Sequence, residues 1–162
     1  MIEPAASGRA KCRGCDRRIA KGELRFGERL PNMFGDGEMT LWFHPACAAY
    51  KRPEPFLETL AEGAGAALPD AAALEAAARR GIDHRRLPRV DGAERAPTGR
   101  ARCRHCREPI AKGAWRVPLV YFDEARFEPS GFVHAECAEA YFGTTELIDR
   151  ARHFNPELGD AD

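Results

Sequence analysis

The amino-acid sequence predicts a small α+β protein made of two similar units, each stapled by a bound metal ion. Three observations support this prediction: a motif frame that occurs twice, a modest length of 162 residues, and six cysteines that are grouped with histidines at matching spacings. A unit of about 50 residues buries too little apolar surface to be stable alone. A metal or a set of disulfides is therefore expected in each unit.

The repeat is visible when GRAKCRGCDRRIAKGELRF, which begins at Gly8, is aligned with GRARCRHCREPIAKGAWRV, which begins at Gly99. Both copies contain Gly-Arg-Ala, a C-x2-C pair, an isoleucine, Ala-Lys-Gly and an arginine ten residues after the second cysteine. An H-x2-C pair follows after 28 residues in the first copy and 27 in the second. The two copies therefore follow one plan.

Each copy offers three thiols and one imidazole, which is a donor set that zinc prefers. The C-x2-C pair places two sulfurs on one tight turn, and H-x2-C supplies the other two ligands from a second element. A disulfide framework is the alternative, but it does not explain a histidine at the same place in each group. The sequence therefore predicts two structural zinc ions per chain, with the ligands Cys12, Cys15, His44 and Cys47 in one site and Cys103, Cys106, His134 and Cys137 in the other.

The secondary structure of each copy follows from these landmarks. Residues 23–30 and 39–44 are predicted to be antiparallel strands around a turn at 35–37, where Gly-Asp-Gly supplies positive φ angles. A short helix is predicted to begin at Pro45, and another near Ala135. The Ala-rich stretch 69–80 is predicted to be a helix that stops at Gly81, and 87–97 a polar linker.

These elements predict five segments. Residues 1–7 form a flexible N-terminus, 8–66 the first finger and 67–97 a partly helical connector. Residues 98–158 form the second finger, and 159–162 a flexible tail.

The charge pattern is more informative than the net charge, because 25 basic residues balance 25 acidic ones. Each copy concentrates basic residues around its C-x2-C pair. Some of these cations offset the negative charge of a zinc bound by three thiolates. Their number exceeds that need, which favours phosphate binding. The basic residues are Arg9, Lys11, Arg13, Arg17, Arg18, Lys21 and Arg25 in the first copy and Arg100, Arg102, Arg104, Arg107, Lys112 and Arg116 in the second.

Several classes of function are not supported by the sequence. No catalytic triad, Gly-rich phosphate loop or carboxylate pair stands out, and four protein ligands leave no open zinc position, so no enzymatic activity and no small-molecule substrate are expected. No stretch is apolar enough for a membrane span or a signal peptide, which predicts a cytoplasmic protein with no membrane partner. The Ala and Arg content is typical of a GC-rich bacterial genome.

The repeated residues resemble the zinc finger that occurs in pairs in poly(ADP-ribose) polymerases and singly in the eukaryotic DNA ligase with an N-terminal nick sensor. The resemblance covers Gly8 to Tyr50 and Gly99 to Tyr141. It implies a PARP-type finger in each copy that recognises breaks in double-stranded DNA without reading sequence. Nothing in the chain resembles the catalytic domains of that family, so a free-standing sensor is expected.

The resemblance also implies roles for individual residues. Arginines Arg9, Arg25, Arg100 and Arg116 match the phosphate-contacting positions of the family. Apolar residues before the third ligand are expected to stack on the exposed base pair: Met33, Phe34 and Met39 in the first copy, and Phe122 and Phe127 in the second, which departs from the family pattern there.

The function predicted from these residues is recognition of a nick, gap or end in damaged DNA, with a DNA repair enzyme as a further partner. Two alternatives stay open. A zinc-dependent protein-interaction scaffold or adaptor in DNA repair would show DNA binding with weak salt dependence. A repair enzyme would need a nucleophile or an open metal position.

Overall fold

The computed structural model of the chain describes residues 1–32, 35–63 and 68–156. The chain divides into two compact units. Unit 1 contains Met1–Asp83 together with the short segment Asp123–Phe127, and unit 2 contains His84–Phe122 and Glu128–Asp162. Each unit has its own three-stranded sheet, helices and metal-binding residues, in agreement with the predicted α+β class.

Unit 1 begins with a three-stranded antiparallel sheet in the order β1-β2-β3, formed by Ile2–Pro4, Leu24–Pro31 and Glu38–Phe43. The strands β2 and β3 confirm the predicted pair within two residues at each end. Residues 1–7 are predicted to be flexible, but β1 lies in this segment and is paired with β2, with Glu3 directly opposite Arg25. A strand this short carries no alternating pattern, so only its pairing reveals it.

The described residues of unit 1 also form the α-helices α1 Pro45–Lys51, α2 Pro53–Ala61 and α3 Ala71–Asp83. Helix α1 begins at Pro45 as predicted, because proline lacks only an N–H that the first helical turn does not use. The Ala-rich helix α3 contacts both α1 and α2, so it belongs to unit 1 rather than to a separate connector. Gly81 lies buried inside α3 and does not end it.

The core of unit 1 is aromatic. Phe26 from β2 contacts Phe43 from β3 and Phe56 from α2, with ring centroids 6.1 and 5.6 Å apart. All three rings are buried, together with Ile19 and Leu41. Strands and helices therefore meet in one small core beside the metal-binding residues.

Unit 2 contains most of the sheet β4-β5-β6, which is formed by Glu94–Arg95, Trp115–Asp123 and Arg126–His134; the residues Asp123–Phe127 belong to unit 1. The short helices α4 Ala138–Phe142 and α5 Ile148–Phe154 follow, and α4 ends at Gly143 in the left-handed region. Two 3-10 turns occupy Leu87–Arg89 and Ala135–Cys137. Among the helices of the described residues, none combines the length and apolar character that a bilayer crossing requires.

The stretch 87–97 is part of unit 2 and not a polar linker. Leu87 and Val90 are buried in its core with Ile110, Leu119 and Val133. Their three-residue spacing places both apolar side chains on one side of a 3-10 turn. The proline and charged residues around them concealed this pair in the sequence.

Candidate metal centres and nucleic-acid interface

The first metal site joins three parts of unit 1. Cys12 and Cys15 lie on a turn that is closed by hydrogen bonds from the Asp16 N–H to the Cys12 carbonyl and from the Cys12 N–H to the Arg17 carbonyl, both 2.8 Å. His44 follows β3, and Cys47 lies in the first turn of α1. Their ligand atoms all lie within 4.8 Å of one another. The predicted quartet is therefore brought together.

Backbone N–H groups point at the sulfur of Cys12. Gly14 donates to this Sγ at 3.3 Å and His44 donates at 3.2 Å. A Cβ at Gly14 would lie 2.8 Å from the Cβ of Cys47, so the turn requires glycine at this position. The fold thus directs two backbone donors at this sulfur.

The second metal site repeats this geometry in unit 2. Its ligand atoms also lie within 4.8 Å of one another, and the backbone N–H of His134 donates to the Sγ of Cys103 at 3.3 Å. The Nδ1 of His134 lies 3.3 Å from the Sγ of Cys106, against 3.4 Å between the corresponding atoms of His44 and Cys15. Cys106 is exposed, whereas Cys15 is half-buried.

The clustered donors shift one another's pKa values in the directions expected of a metal site. Hydrogen bonds to Cys12 and Cys15 raise the pKa of His44 to about 10 and hold the pKa of Cys47 far above its ordinary value. Hydrogen bonds from Cys12 and Cys47 lower the pKa of Cys15 strongly. A metal cation that binds this quartet would coordinate the thiolate of Cys15 and displace the protons that His44 and Cys47 hold.

In unit 2, the pKa values of two cysteines shift in opposite directions. Burial raises the pKa of Cys103, but the backbone N–H groups of Cys106, His134 and His105 outweigh it and lower the value to about 6. Burial and the neighbouring sulfurs raise the pKa of Cys137 to about 12.

Both quartets fit zinc. Three sulfurs and one Nδ1 form a Cys3His donor set, and the other ring nitrogen of each histidine has an oxygen partner. The Nε2 of His44 lies 3.7 Å from Glu23 Oε1, and that of His134 lies 3.2 Å from the Pro109 carbonyl oxygen. All six cysteines are free thiols, so the disulfide alternative is not formed. The two sites can hold two zinc ions with structural roles.

Comparison with known families agrees with this geometry. The family described as the poly(ADP-ribose) polymerase and DNA-ligase Zn-finger region matches residues 3–85. The chain belongs to this family. The matched segment includes all four ligands of the first site, so unit 1 is the family's zinc finger.

Individual relatives lead to the same family. A poly(ADP-ribose) polymerase of Sarcophaga peregrina is 27% identical over 91% of this chain. Poly(ADP-ribose) polymerase 1 of Caenorhabditis elegans is 46% identical over 28% of this chain, and a polymerase of Drosophila melanogaster is 38% identical over 29%. The aligned regions span only 17%, 5% and 5% of these relatives, respectively.

In unit 1, the Arg25 side chain is stacked on the ring of Trp42, which the amino-acid sequence did not reveal. The guanidinium carbon lies 3.6 Å from the centroid of the Trp42 ring, and Nη2 donates to Glu3 Oε1 at 3.3 Å. Only 11% of the Arg25 side chain is exposed. Gly27 makes room for Trp42, because a Cβ there would lie 2.7 Å from its ring.

Arg116 in unit 2 occupies a matching stack. Its guanidinium carbon lies 3.6 Å from the centroid of the Phe132 ring, and Nη2 donates to Glu94 Oε2 at 2.9 Å. The side chain of Arg116 is 8% exposed. The two arginines assigned to phosphate contact are thus mostly covered by an aromatic ring and paired with a carboxylate.

Arg9 and Arg100, by contrast, are exposed. Both lie two residues after a hydroxyl side chain that accepts their backbone N–H: Ser7 Oγ for Arg9 and Thr98 Oγ1 for Arg100, at 3.4 Å each. These hydrogen bonds hold the backbone and leave the side chains available to solvent. The geometry therefore suits them to contact an anion.

The predicted stacking residues have different environments. Met33 and Phe34 lie outside the described residues. Met39 is half-buried in β3 opposite Leu30. Phe122 is half-buried in β5, and the ring of Phe127, in the Asp123–Phe127 segment of unit 1, lies 6.2 Å from the Phe43 ring. Phe127 thus serves as a packing residue in unit 1.

Sequence reasoning missed Glu3, Glu94, Trp42 and Phe132 as members of the arginine stacks. A signal for the two carboxylates was present, since each precedes the Gly-Arg-Ala lead of its copy by five residues. The repeat therefore begins at Glu3 and Glu94 rather than at the glycines.

Proposed function

We propose that this protein recognises strand breaks in double-stranded DNA through phosphate contacts and base stacking, without reading sequence. The observation that carries the proposal is the arginine stack of the family finger, which is built a second time in unit 2. Each unit combines an arginine that is fixed in a stack with an arginine that is exposed, and such basic side chains are suited to a sugar-phosphate backbone. The proposed partner is a DNA duplex that contains a nick, a gap or a free end.

Unit 2 is proposed to be a second finger of the same type. Its ligand spacing, sulfur-directed N–H groups and arginine stack follow those of unit 1. The N–H of Ala5 donates to the Glu23 carbonyl at 2.8 Å, and that of Ala96 to the Ala114 carbonyl at 2.8 Å. The alignment with the Sarcophaga peregrina polymerase also runs through 91% of the chain.

Break selectivity is proposed to come from apolar side chains that follow β2 in the sequence, up to the first residues of β3. A break interrupts base stacking and lets the duplex bend, so a protein that offers an apolar wedge beside a basic surface binds breaks more tightly. Met39 is the described member of this group. Met33 and Phe34 are proposed to complete it.

The proposed role is recognition and not catalysis. The matched relatives are named as polymerases, but the aligned region spans 17% of the one that covers most of this chain. Each zinc site has four protein ligands, which leaves no coordination position for a substrate. We propose that the protein is cytoplasmic and associated with the nucleoid, because its proposed partner is genomic DNA.

Binding titrations of one duplex, intact and nicked, test the proposal. The nicked duplex is expected to bind at least about tenfold more tightly at near-physiological salt, since one stacked base contributes about 1–3 kcal/mol. A second nicked duplex of unrelated sequence should bind equally well. Equal affinity for nicked and intact DNA would reject break recognition.

A protein-interaction adaptor is the second candidate, and one observation in unit 2 favours it. A cavity of about 410 Å³ is lined mainly by apolar side chains, including Trp115, Val117 and Leu147. Ile148 at this cavity is strongly exposed. DNA binding that hardly changes with salt would support the adaptor, because phosphate contacts make affinity strongly salt-dependent.

A further inference from the structure

Two carboxylates in the chain are paired with the arginines that are proposed to contact DNA phosphates. Glu3 lies opposite Arg25 in the β1–β2 pair, and Glu94 lies opposite Arg116 in the β4–β5 pair. Each accepts a hydrogen bond from the guanidinium of its arginine. The arrangement is made twice, by the same residue types at the same register.

The aromatic ring and the carboxylate together leave little of each guanidinium accessible. Trp42 covers a face of Arg25, and Phe132 covers a face of Arg116. The arginine side chains are 11% and 8% exposed, whereas Glu3 and Glu94 are 46% and 42% exposed. The more exposed member of each ion pair is therefore its carboxylate.

Each guanidinium keeps donors for such a ligand. A guanidinium has five N–H groups, and the hydrogen bond from Arg25 to Glu3 uses one of them. The buried Nε of Arg25 has no hydrogen-bond partner among the described residues. A DNA phosphodiester presents two anionic oxygens and one negative charge, as a carboxylate does, and arginine binds both groups through charge-assisted hydrogen bonds.

We propose that Glu3 and Glu94 act as built-in phosphate mimics that neutralise Arg25 and Arg116 in the free protein and are exchanged for DNA phosphates on binding. This proposal rests on the DNA-binding function proposed above and adds a control on its strength. Binding to any duplex must first separate two ion pairs. Glu3 and Glu94 are positioning residues, since they act on DNA through the arginines.

The test compares Glu3→Gln, Glu94→Gln and the double variant with the wild-type protein, using a nicked duplex and several salt concentrations. Glutamine keeps the size and an acceptor oxygen, so the stack is retained without its negative charge. Each substitution is expected to tighten binding by up to about tenfold at about 50 mM salt and to steepen the slope of log affinity against log salt by up to about 0.9.

The matched controls are Glu58→Gln in α2 and Glu139→Gln in α4. Both residues are exposed glutamates, one in each unit of the protein. Each control substitution removes one negative charge, as the test substitutions do. Their effect on affinity is expected to be under about twofold, because exposed charges away from the contact are screened by salt. A merely structural role of Glu3 or Glu94 would weaken binding on substitution and could not steepen the salt slope.

The outcomes separate this proposal from the function on which it rests. Tighter binding with a steeper slope in either single variant supports the exchange. If the zinc-loaded variants bind as the wild type does, or more weakly, while the wild type still prefers nicked DNA, the exchange is refuted and break recognition stands. If neither wild type nor variants bind DNA, both proposals are refuted. Glu94→Gln leaves unit 1 unchanged, so a folding defect of Glu3→Gln does not prevent the test.

Discussion

The substitution Gly27→Ala tests whether the arginine stack of unit 1 depends on close packing. An added Cβ would lie 2.7 Å from Cζ3 of Trp42 and 3.1 Å from its Cε3. The methyl of Thr40 lies 3.1 Å away on the same face, so the ring has to move. Trp42 cannot shift without losing its contact with the Arg25 guanidinium.

The expected loss of stability follows from these contacts. Overpacking of a well-packed site costs about 1–3 kcal/mol, and a cation–π contact contributes about 0.5–2 kcal/mol. Replacing glycine by alanine also restricts the unfolded chain, which stabilises the folded state by about 0.4–1 kcal/mol. A net destabilisation of about 1–3 kcal/mol is therefore expected.

Denaturant unfolding of the zinc-loaded protein, followed by tryptophan fluorescence, measures this change. Gly35→Ala is the matched control, since the nearest atom to its added Cβ is Asn32 Nδ2 at 3.9 Å. A Gly27→Ala protein as stable as the control would refute the inference that Trp42 is tightly held against β2. Zinc content should stay at wild-type levels in both variants.

Four further predictions concern zinc and DNA. Chelation of zinc is expected to unfold the protein, seen as loss of far-UV circular dichroism, and retention of the fold would contradict a stapling role. In the metal-free protein, His44 has a pKa of about 10 and therefore holds a proton that zinc must displace. Zinc affinity should then rise by about tenfold per pH unit for each displaced proton between about pH 6 and 9, and an affinity that does not change with pH would contradict this displacement. Arg25→Ala and Arg116→Ala should each weaken DNA binding by about fivefold at about 150 mM salt and lower the salt slope by up to about one; binding and slopes like the wild type would leave these arginines as structural groups. Phe34→Ala combined with Met39→Ala should reduce the preference for nicked over intact duplex by about tenfold. An unchanged ratio of the two affinities in a stably folded variant would refute the stacking role of these residues.

The metal sites and the main elements of unit 1 could be predicted because local chemistry specifies them. A C-x2-C pair brings two sulfurs together whatever surrounds it, and Pro45 and the Gly-Asp-Gly turn mark where α1 begins and where the chain reverses. The eight ligands were therefore identified by spacing alone, and their clustering is confirmed.

The stacks and the unit boundaries depend on tertiary pairing and could not be predicted in the same way. Glu3 is adjacent to Arg25 only because β1 pairs with β2, and a three-residue strand has no periodic signal. The length and charge of Arg25 suggest an exposed side chain, but Trp42 covers it. Leu87 and Val90 form part of a core that is assembled from distant segments.

Competition between nicked and intact duplex for the zinc-loaded wild-type protein tests the central claim most directly. A fluorescent nicked duplex is displaced at near-physiological salt by unlabelled nicked or unlabelled intact DNA of the same sequence. We expect the intact competitor to be needed at about tenfold or greater concentration, because it offers no exposed base pair for stacking. Displacement by both competitors at the same concentration would contradict recognition of strand breaks.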